Sequence, residues 1–73
     1  MHKIFVILMY ISESTARRIL REAGAARISD DAAVEFHKHI NKYAYDVAEK
    51  AVKLAKHAKR KTIDSSDVKL AVR

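Results

Sequence analysis

Residues 29–58 read SDDAAVEFHKHINKYAYDVAEKAVKLAKHA and contain neither Pro nor Gly. Apolar side chains recur there at intervals of three and four, the period of one helix face: Ala33, Phe36, Ile40, Tyr43, Val47, Ala51, Leu54 and Ala58. Such a helix is roughly 40 Å long at about 1.5 Å per residue. A compact chain of 73 residues has a radius of gyration of only about 11 Å. The flanking segments are too short to cover this stripe, so we predict an obligate dimer.

The composition agrees with a small, oligomeric, helical domain. At 73 residues a single core is marginal, and association with a second chain commonly supplies what is missing. Hydrophobic residues make up 49% of the chain, too many for a disordered protein. The absence of cysteine excludes a disulfide framework and a thiolate metal site. A net charge of +6 and a pI near 9.8 indicate a polyanionic partner.

Start and stop signals predict a short helix on either side of the long one, so the fold class is all-α. N-cap side chains accept a hydrogen bond from the first helical turn, and the expected ones are Ser12 or Ser14, Ser29 and Asp64. The first helix should end just before Gly24, which stands where a C-terminal glycine is favoured. The last helix has Asp67 at its N3 position, as in a capping box. Its buried face should consist of Val68, Ala71 and Val72, with Leu70 alongside.

The apolar run from Ile4 to Ile11 does not fit this pattern. It is too short to span a bilayer, which requires about 20 residues, and no small-residue cleavage site of a signal peptide follows it. Residues 5–10 could form a strand-like or helical segment that covers the domain or pairs with a neighbour, or Met9 could be the true start. We therefore divide the chain into an apolar amino-terminal segment of undetermined role, residues 1–11, and a folded domain, residues 12–73.

Basic side chains form two groups along the chain. Between Lys50 and Lys61 there are several Lys and Arg residues and no acid, and the other group consists of Arg17, Arg18, Arg21 and Arg27. A solvated helix face is the simpler explanation for either group alone. If two long helices cross antiparallel, however, the loop near Arg27 approaches the partner's loop near Arg60. The two groups would then merge into one phosphate-binding patch at each end of the dimer.

Three strings resemble the archaeal histones: REAGAARISDDA at 21–32, AVKLAKHAKRKTI at 51–63 and DVKLAVR at 67–73. They occur in that family's order and spacing, and the resemblance covers residues 11–73. It implies the histone fold, a short helix, loop, long helix, loop and short helix in a handshake homodimer. It also implies double-stranded DNA as partner, no cofactor, and a cytoplasmic protein associated with the chromosome or nucleoid. The residues matching the dimer core are Phe36, Ile40, Tyr43, Val47 and Ala51.

The resemblance further implies roles for individual residues. Arg27 matches an arginine inserted into the DNA minor groove, a narrow and electronegative space that suits a guanidinium. The other expected DNA-binding residues are Arg18, Arg21, Lys53, Arg60, Lys61 and Thr62. Arg60 also matches the arginine of a structural ion pair with Asp67, which competes with a role in DNA contact. Contacts between dimers, which would build tetramers or filaments, are implied for Leu54, His57, Asp67 and Leu70.

Some positions depart from the family pattern, and other functions stay open. Ser12, Glu13, Ser14 and Thr15 replace a proline-bearing lead-in, and Tyr43 with Ala44 makes a bulkier dimer crossing. We predict a histone-like protein that wraps, bends and compacts duplex DNA without sequence specificity. The alternatives are a histone-fold subunit of a transcription or regulatory complex, or a non-wrapping oligomer that bridges duplexes. A paralogous histone could serve as heterodimer partner.

Catalytic and metal-binding functions are not indicated. The sequence shows no nucleophile–base set, metal-ligand cluster or phosphate-cradling glycine loop, so we expect no enzyme. His37 and His39 are two residues apart and do not share a helix face, so we expect no metal site there.

Overall fold

The computed structural model describes residues 10–73, which form three α-helices: α1 Glu13–Glu22, α2 Asp30–His57 and α3 Ser65–Ala71. No strand occurs among these residues. The predicted order of short, long and short helices is confirmed. Apart from Tyr10, the segment expected at residues 5–10 lies outside the described residues, and the boundary between residues 11 and 12 stays a prediction.

Two compact units divide the chain inside α2, between Lys42 and Tyr43. The first unit contains α1 and the part of α2 up to Lys42. The second contains the rest of α2 and all of α3. Within residues 10–73, no helix combines the length and apolarity that crossing a bilayer requires.

Local hydrogen bonds explain both ends of α1. Ser12 is the N-cap, and its Oγ accepts a 3.1 Å bond from the backbone N–H of Thr15. At the other end the N–H of Gly24 donates to the carbonyl of Arg21, and the N–H of Ala25 donates to the carbonyl of Leu20, each at 3.0 Å. This is the Schellman arrangement, which places Gly24 at a φ of 118°. Gly24 therefore ends the helix as predicted.

The long helix α2 is capped at both ends but ends without glycine. At its start the Ser29 Oγ accepts a 3.1 Å bond from the N–H of Ala32. At its end the N–H of Lys59 donates to the carbonyl of Lys56 and the N–H of Arg60 donates to the carbonyl of Ala55, both at 2.9 Å. Lys59 thereby adopts a φ of 60°, in the left-handed region that glycine normally occupies.

Helix α3 begins with the predicted capping box. The Asp64 carboxylate accepts from the N–H of Asp67 at 3.2 Å, and the Asp67 carboxylate accepts from the N–H of Asp64 at 3.0 Å. The expected buried face is wrong for the single chain, except at Ala71. Val68, Leu70 and Val72 are 43%, 51% and 50% exposed, because nothing in the described chain covers that side of the helix.

The buried apolar residues of the described chain are all alanines: Ala16, Ala33, Ala51, Ala55 and Ala71. Burying a large aliphatic or aromatic side chain contributes about 1.5–3 kcal/mol, and no such side chain is fully buried among residues 10–73. Of the expected dimer-core residues, Ala51 is buried, Phe36, Ile40 and Val47 are half-buried, and Tyr43 is 60% exposed. A single chain therefore lacks a core of large side chains, which is what a folding unit of two chains requires.

Buried polar contacts instead anchor the backbone of Ile11 to α2 within the first unit. Asn41 is fully buried, and its Oδ1 accepts a 2.7 Å bond from the N–H of Ile11. Its Nδ2 donates to the carbonyls of Ile11 at 3.0 Å and His37 at 2.9 Å. The Nε2–H of His37 donates a 2.6 Å bond to the same Ile11 carbonyl. We call this set of contacts the Ile11 anchor.

Candidate nucleic-acid interface

The first unit contains two arginines that are held by acids of the same chain. Arg17 donates to Asp30 at 2.9 Å and to Glu13 at 3.3 Å. The hydrogen bond to Asp30 raises the pKa of Arg17 above its ordinary value. Arg18, one of the predicted phosphate contacts, donates to Glu22 at 2.8 Å, and both side chains are exposed. Arg17 thus joins α1 to the start of α2, while Arg18 forms a solvent-exposed pair of the kind that contributes little to stability.

Arg21 and Arg27 differ from these two arginines because they have no acidic partner. Both are exposed, and within residues 10–73 neither side chain makes a hydrogen bond or an ion pair. Arg27 lies in the loop between α1 and α2, which we call loop 1 (residues 23–29). Among the basic side chains expected to bind DNA in the first unit, these two are the ones free to meet a phosphate or a groove.

The second unit is organised around a bidentate ion pair between Arg60 and Asp67. Arg60 Nη1 donates to Asp67 Oδ2 at 2.8 Å, and Nη2 donates to Oδ1 at 2.7 Å. The Asp67 side chain is only 4% exposed. These bonds from Arg60, followed by the bond from the Asp64 N–H, hold the pKa of Asp67 far below its ordinary value of 3.8, although burial acts in the opposite direction. The structure therefore brings the two expected partners together.

Arg60 also organises the loop between α2 and α3, which we call loop 2 (residues 58–64). Its Nη1 donates a 3.0 Å bond to the carbonyl of Thr62 and lies 3.3 Å from Asp64 Oδ2. The hydrogen bond to Asp67 raises the pKa of Arg60. Because the guanidinium is directed into these contacts, its second expected role, in DNA contact, stays a prediction.

The remaining expected DNA-binding residues of the second unit are exposed. Lys53 lies on α2, and Lys61 and Thr62 lie in loop 2. Within the described part of the chain, the side chains of Lys53 and Lys61 have no acidic partner. They are therefore free to bind phosphate.

Three of the residues expected between dimers lie together. Leu54, His57 and Leu70 line one open groove of the second unit, next to Lys50 and Lys53. Asp67 is not part of that lining and is occupied by Arg60 and the Asp64 N–H. A contact between Asp67 and His57 of another dimer therefore stays a prediction.

The Ile11 anchor was not predicted from the sequence. Asn41 lies next to the apolar stripe in the sequence, and no periodic signal marks it as buried. Among residues 10–73 there is no group of His, Cys, Asp or Glu side chains that could hold a metal ion.

Comparison with known protein families matches residues 11–72 to the family described as histone-like transcription factor (CBF/NF-Y) and archaeal histone. The chain belongs to this family. The archaeal histone HAN1 of Thermococcus zilligii is 46% identical over 56 residues, and Probable archaeal histone 3 of Methanocaldococcus jannaschii is 50% identical over 56 residues. Each match covers 77% of this chain and 84% of the relative. Histone H4 of Encephalitozoon cuniculi is 40% identical over 58 residues, which are 80% of this chain and 56% of the relative.

Membership in this family confirms the predicted resemblance and the histone fold, and a handshake dimer is consistent with it. Together with the archaeal histone relatives, it supports a histone-fold, DNA-binding protein associated with the chromosome. The family implies a structural role in DNA packaging, not an enzymatic one.

Proposed function

We propose that this histone-fold protein forms a homodimer that wraps, bends and compacts duplex DNA without sequence specificity. The observation that supports this most directly is the set of exposed basic side chains without an acidic partner within residues 10–73: Arg21, Arg27, Lys53 and Lys61. In a histone of this family such side chains would neutralise phosphates. Since phosphate contacts position a protein on the duplex without reading its sequence, recognition would depend on DNA shape and deformability.

The dimer in this proposal has the expected core of Phe36, Ile40, Tyr43, Val47 and Ala51. It would carry a charge of about +12, twice the +6 of one chain, and would bind a polyanion with a strong salt dependence. Arg27 would enter the minor groove where it faces the protein. The phosphate contacts would come from Arg18, Arg21, Lys53, Arg60, Lys61 and Thr62.

Equilibrium binding to a random-sequence duplex across a salt series tests the DNA-binding part of the proposal. Each neutralised phosphate contributes about −0.9 to the slope of log affinity against log salt concentration. A slope that reports several phosphates per dimer supports the packaging function. Weak binding with a flat slope would reject it.

Wrapping needs a separate test, since binding alone does not bend DNA. Relaxed circular DNA incubated with the protein and a topoisomerase should gain supercoils if the duplex is wrapped. Arg27→Ala should reduce the supercoils gained per bound dimer while leaving thermal unfolding unchanged. Arg27→Lys is the matched control, because it keeps the charge but loses the planar guanidinium. Equal supercoiling by Arg27→Ala and the original protein would remove Arg27 from the proposed role.

Further assembly of dimers is part of the same proposal. The groove lined by Leu54, His57 and Leu70 offers an apolar surface to a second dimer, with Asp67 as the proposed polar partner of His57. Tetramers or filaments on DNA would result. Sedimentation of Leu70→Glu with and without DNA tests this, because a charge in that groove should reduce the particle to a dimer.

A second candidate function is a histone-fold subunit of a transcription or regulatory complex, because the family also includes histone-like transcription factors. A paralogous partner would favour that function. A non-wrapping oligomer that bridges duplexes is the other alternative, and it would join two DNA molecules without adding supercoils. The supercoiling assay therefore separates wrapping from both alternatives.

A further inference from the structure

Lys59 occupies a backbone conformation that normally requires glycine. Both α1 and α2 end in the same pair of hydrogen bonds, and the position that must turn left-handed is Gly24 in one case and Lys59 in the other. Lys59 has a φ of 60°, where a Cβ comes too close to the following carbonyl oxygen. The chain thus contains its own comparison, in which one helix ends with the favoured residue and the other with a strained lysine.

Nothing in the described chain compensates for that strain. Lys59 is exposed, and its side chain has no hydrogen bond or ion pair within residues 10–73. The acids of loop 2 and of the start of α3 that could pair with it, Asp64 and Asp67, are in contact with Arg60. Its sequence neighbours Arg60 and Lys61 are also cationic, so like charges oppose it.

The helix dipole does not explain the lysine well. A cation near a helix C-terminus is stabilising, but Lys56 and His57 already occupy the last turn of α2. A glycine at position 59 would remove the strain and leave those two side chains in place.

We propose that Lys59 is a phosphate-binding residue of loop 2, in addition to Lys61. This inference rests on the proposed function of DNA binding. Arg60 is held by Asp67 and the carbonyl of Thr62, so the unpaired charge of loop 2 is that of Lys59 and Lys61. The left-handed backbone projects Lys59 from the turn itself, between the end of α2 and the rest of the loop. The strain is retained because the lysine gains a partner only when DNA is bound.

The test compares Lys59→Gly with the original protein by thermal unfolding and by DNA binding across a salt series. Lys59→Gly should fold with equal or higher thermal stability, because glycine suits the φ of 60°. Two lost phosphate contacts per dimer should make the salt slope shallower by about 1.8. Each lost contact should weaken binding about 8-fold at 0.1 M salt relative to 1 M salt.

Two further variants make the outcome specific. Lys59→Arg keeps the charge and should keep the slope of the original protein. Lys69→Ala removes the same charge from α3 and should leave the slope nearly unchanged. A shallower slope for Lys59→Gly alone supports the inference, and the same reduction for Lys69→Ala would overturn it in favour of a net-charge effect.

Two other results would also overturn the inference. An unchanged slope for Lys59→Gly beside a steep slope for the original protein would reject the role of Lys59 while leaving DNA binding intact. A loss of dimer stability in Lys59→Gly, measured by sedimentation without DNA, would mean that Lys59 contacts the partner chain. A flat slope for the original protein would instead reject the proposed function.

Discussion

Replacing Asn41 with alanine is expected to destabilise each chain by about 2 kcal/mol, because it removes the centre of the Ile11 anchor. The Asn41 side chain is fully buried and makes bonds of 2.7, 3.0 and 2.9 Å. Without it, the carbonyl of Ile11 keeps its bond from His37. The N–H of Ile11 loses the partner that the structure gives it.

The magnitude follows from these contacts. A hydrogen bond contributes about 1 kcal/mol net, so the three bonds of Asn41 contribute about 3 kcal/mol. Alanine is the better helix former by about 0.6 kcal/mol, which offsets part of the loss. For a chain of this size about 2 kcal/mol corresponds to a fall in Tm of roughly 8–16 °C.

Urea unfolding at one fixed protein concentration measures this change, since the stability of a dimer depends on concentration. Ala48→Asn is the matched control, because Ala48 is an exposed position of the same helix. It reports the helix-propensity difference alone and should lower the stability by about 0.6 kcal/mol. His37→Ala should lie between the two, since it removes one bond to Ile11. If Asn41→Ala remained within about 0.5 kcal/mol of the original protein, the anchor would have no stabilising role and the reasoning would be refuted.

Three further changes probe the helix ends and the ion pair. Gly24→Ala should destabilise the fold by about 1–2 kcal/mol through backbone strain alone, since φ is 118° and no atom lies within 4 Å of the added Cβ; unchanged chemical denaturation would contradict this. Ser12→Ala should lose about 1 kcal/mol of N-cap stabilisation, whereas Ser14→Ala, the control, should change stability little in the same assay. The pKa of Asp67 is lowered in the folded chain, so its stabilisation is complete above its ordinary pKa of 3.8 and is lost as the pH falls below that value. Thermal unfolding of Asp67→Asn should therefore depend less on pH in acid, and an equal acid dependence would exclude this group.

The helices could be predicted from the sequence because their signals are local. Caps act within one turn, so Gly24 and Asp64 marked a helix end and a helix start that the structure contains. The period of residues 29–58 predicted α2 in the same way. Ser12 and Ser14 are both hydroxyls near the start of α1, and only the bond to the Thr15 N–H identifies Ser12 as the cap.

Contacts between distant residues could not be predicted in this way. Asn41 and Ile11 are 30 positions apart, and Arg17 and Asp30 are 13 apart, so neither pair leaves a periodic signal. The pairing of Arg60 with Asp67 was expected only from the family resemblance. The left-handed turn at Lys59 was missed because the sequence has no glycine there.

The alanine-only buried set connects stability with DNA binding. If two chains are needed to cover the large apolar side chains, folding, dimerisation and the joining of loop 1 to the partner's loop 2 occur together. The DNA-binding patch then exists only in the dimer, although each chain contains all of its cations. DNA that binds the dimer must in turn stabilise the fold by mass action, and this stabilisation increases with the concentration of free duplex relative to its Kd. Because binding weakens steeply with salt, added salt should reduce the stabilisation by DNA more than it changes the stability of the free dimer.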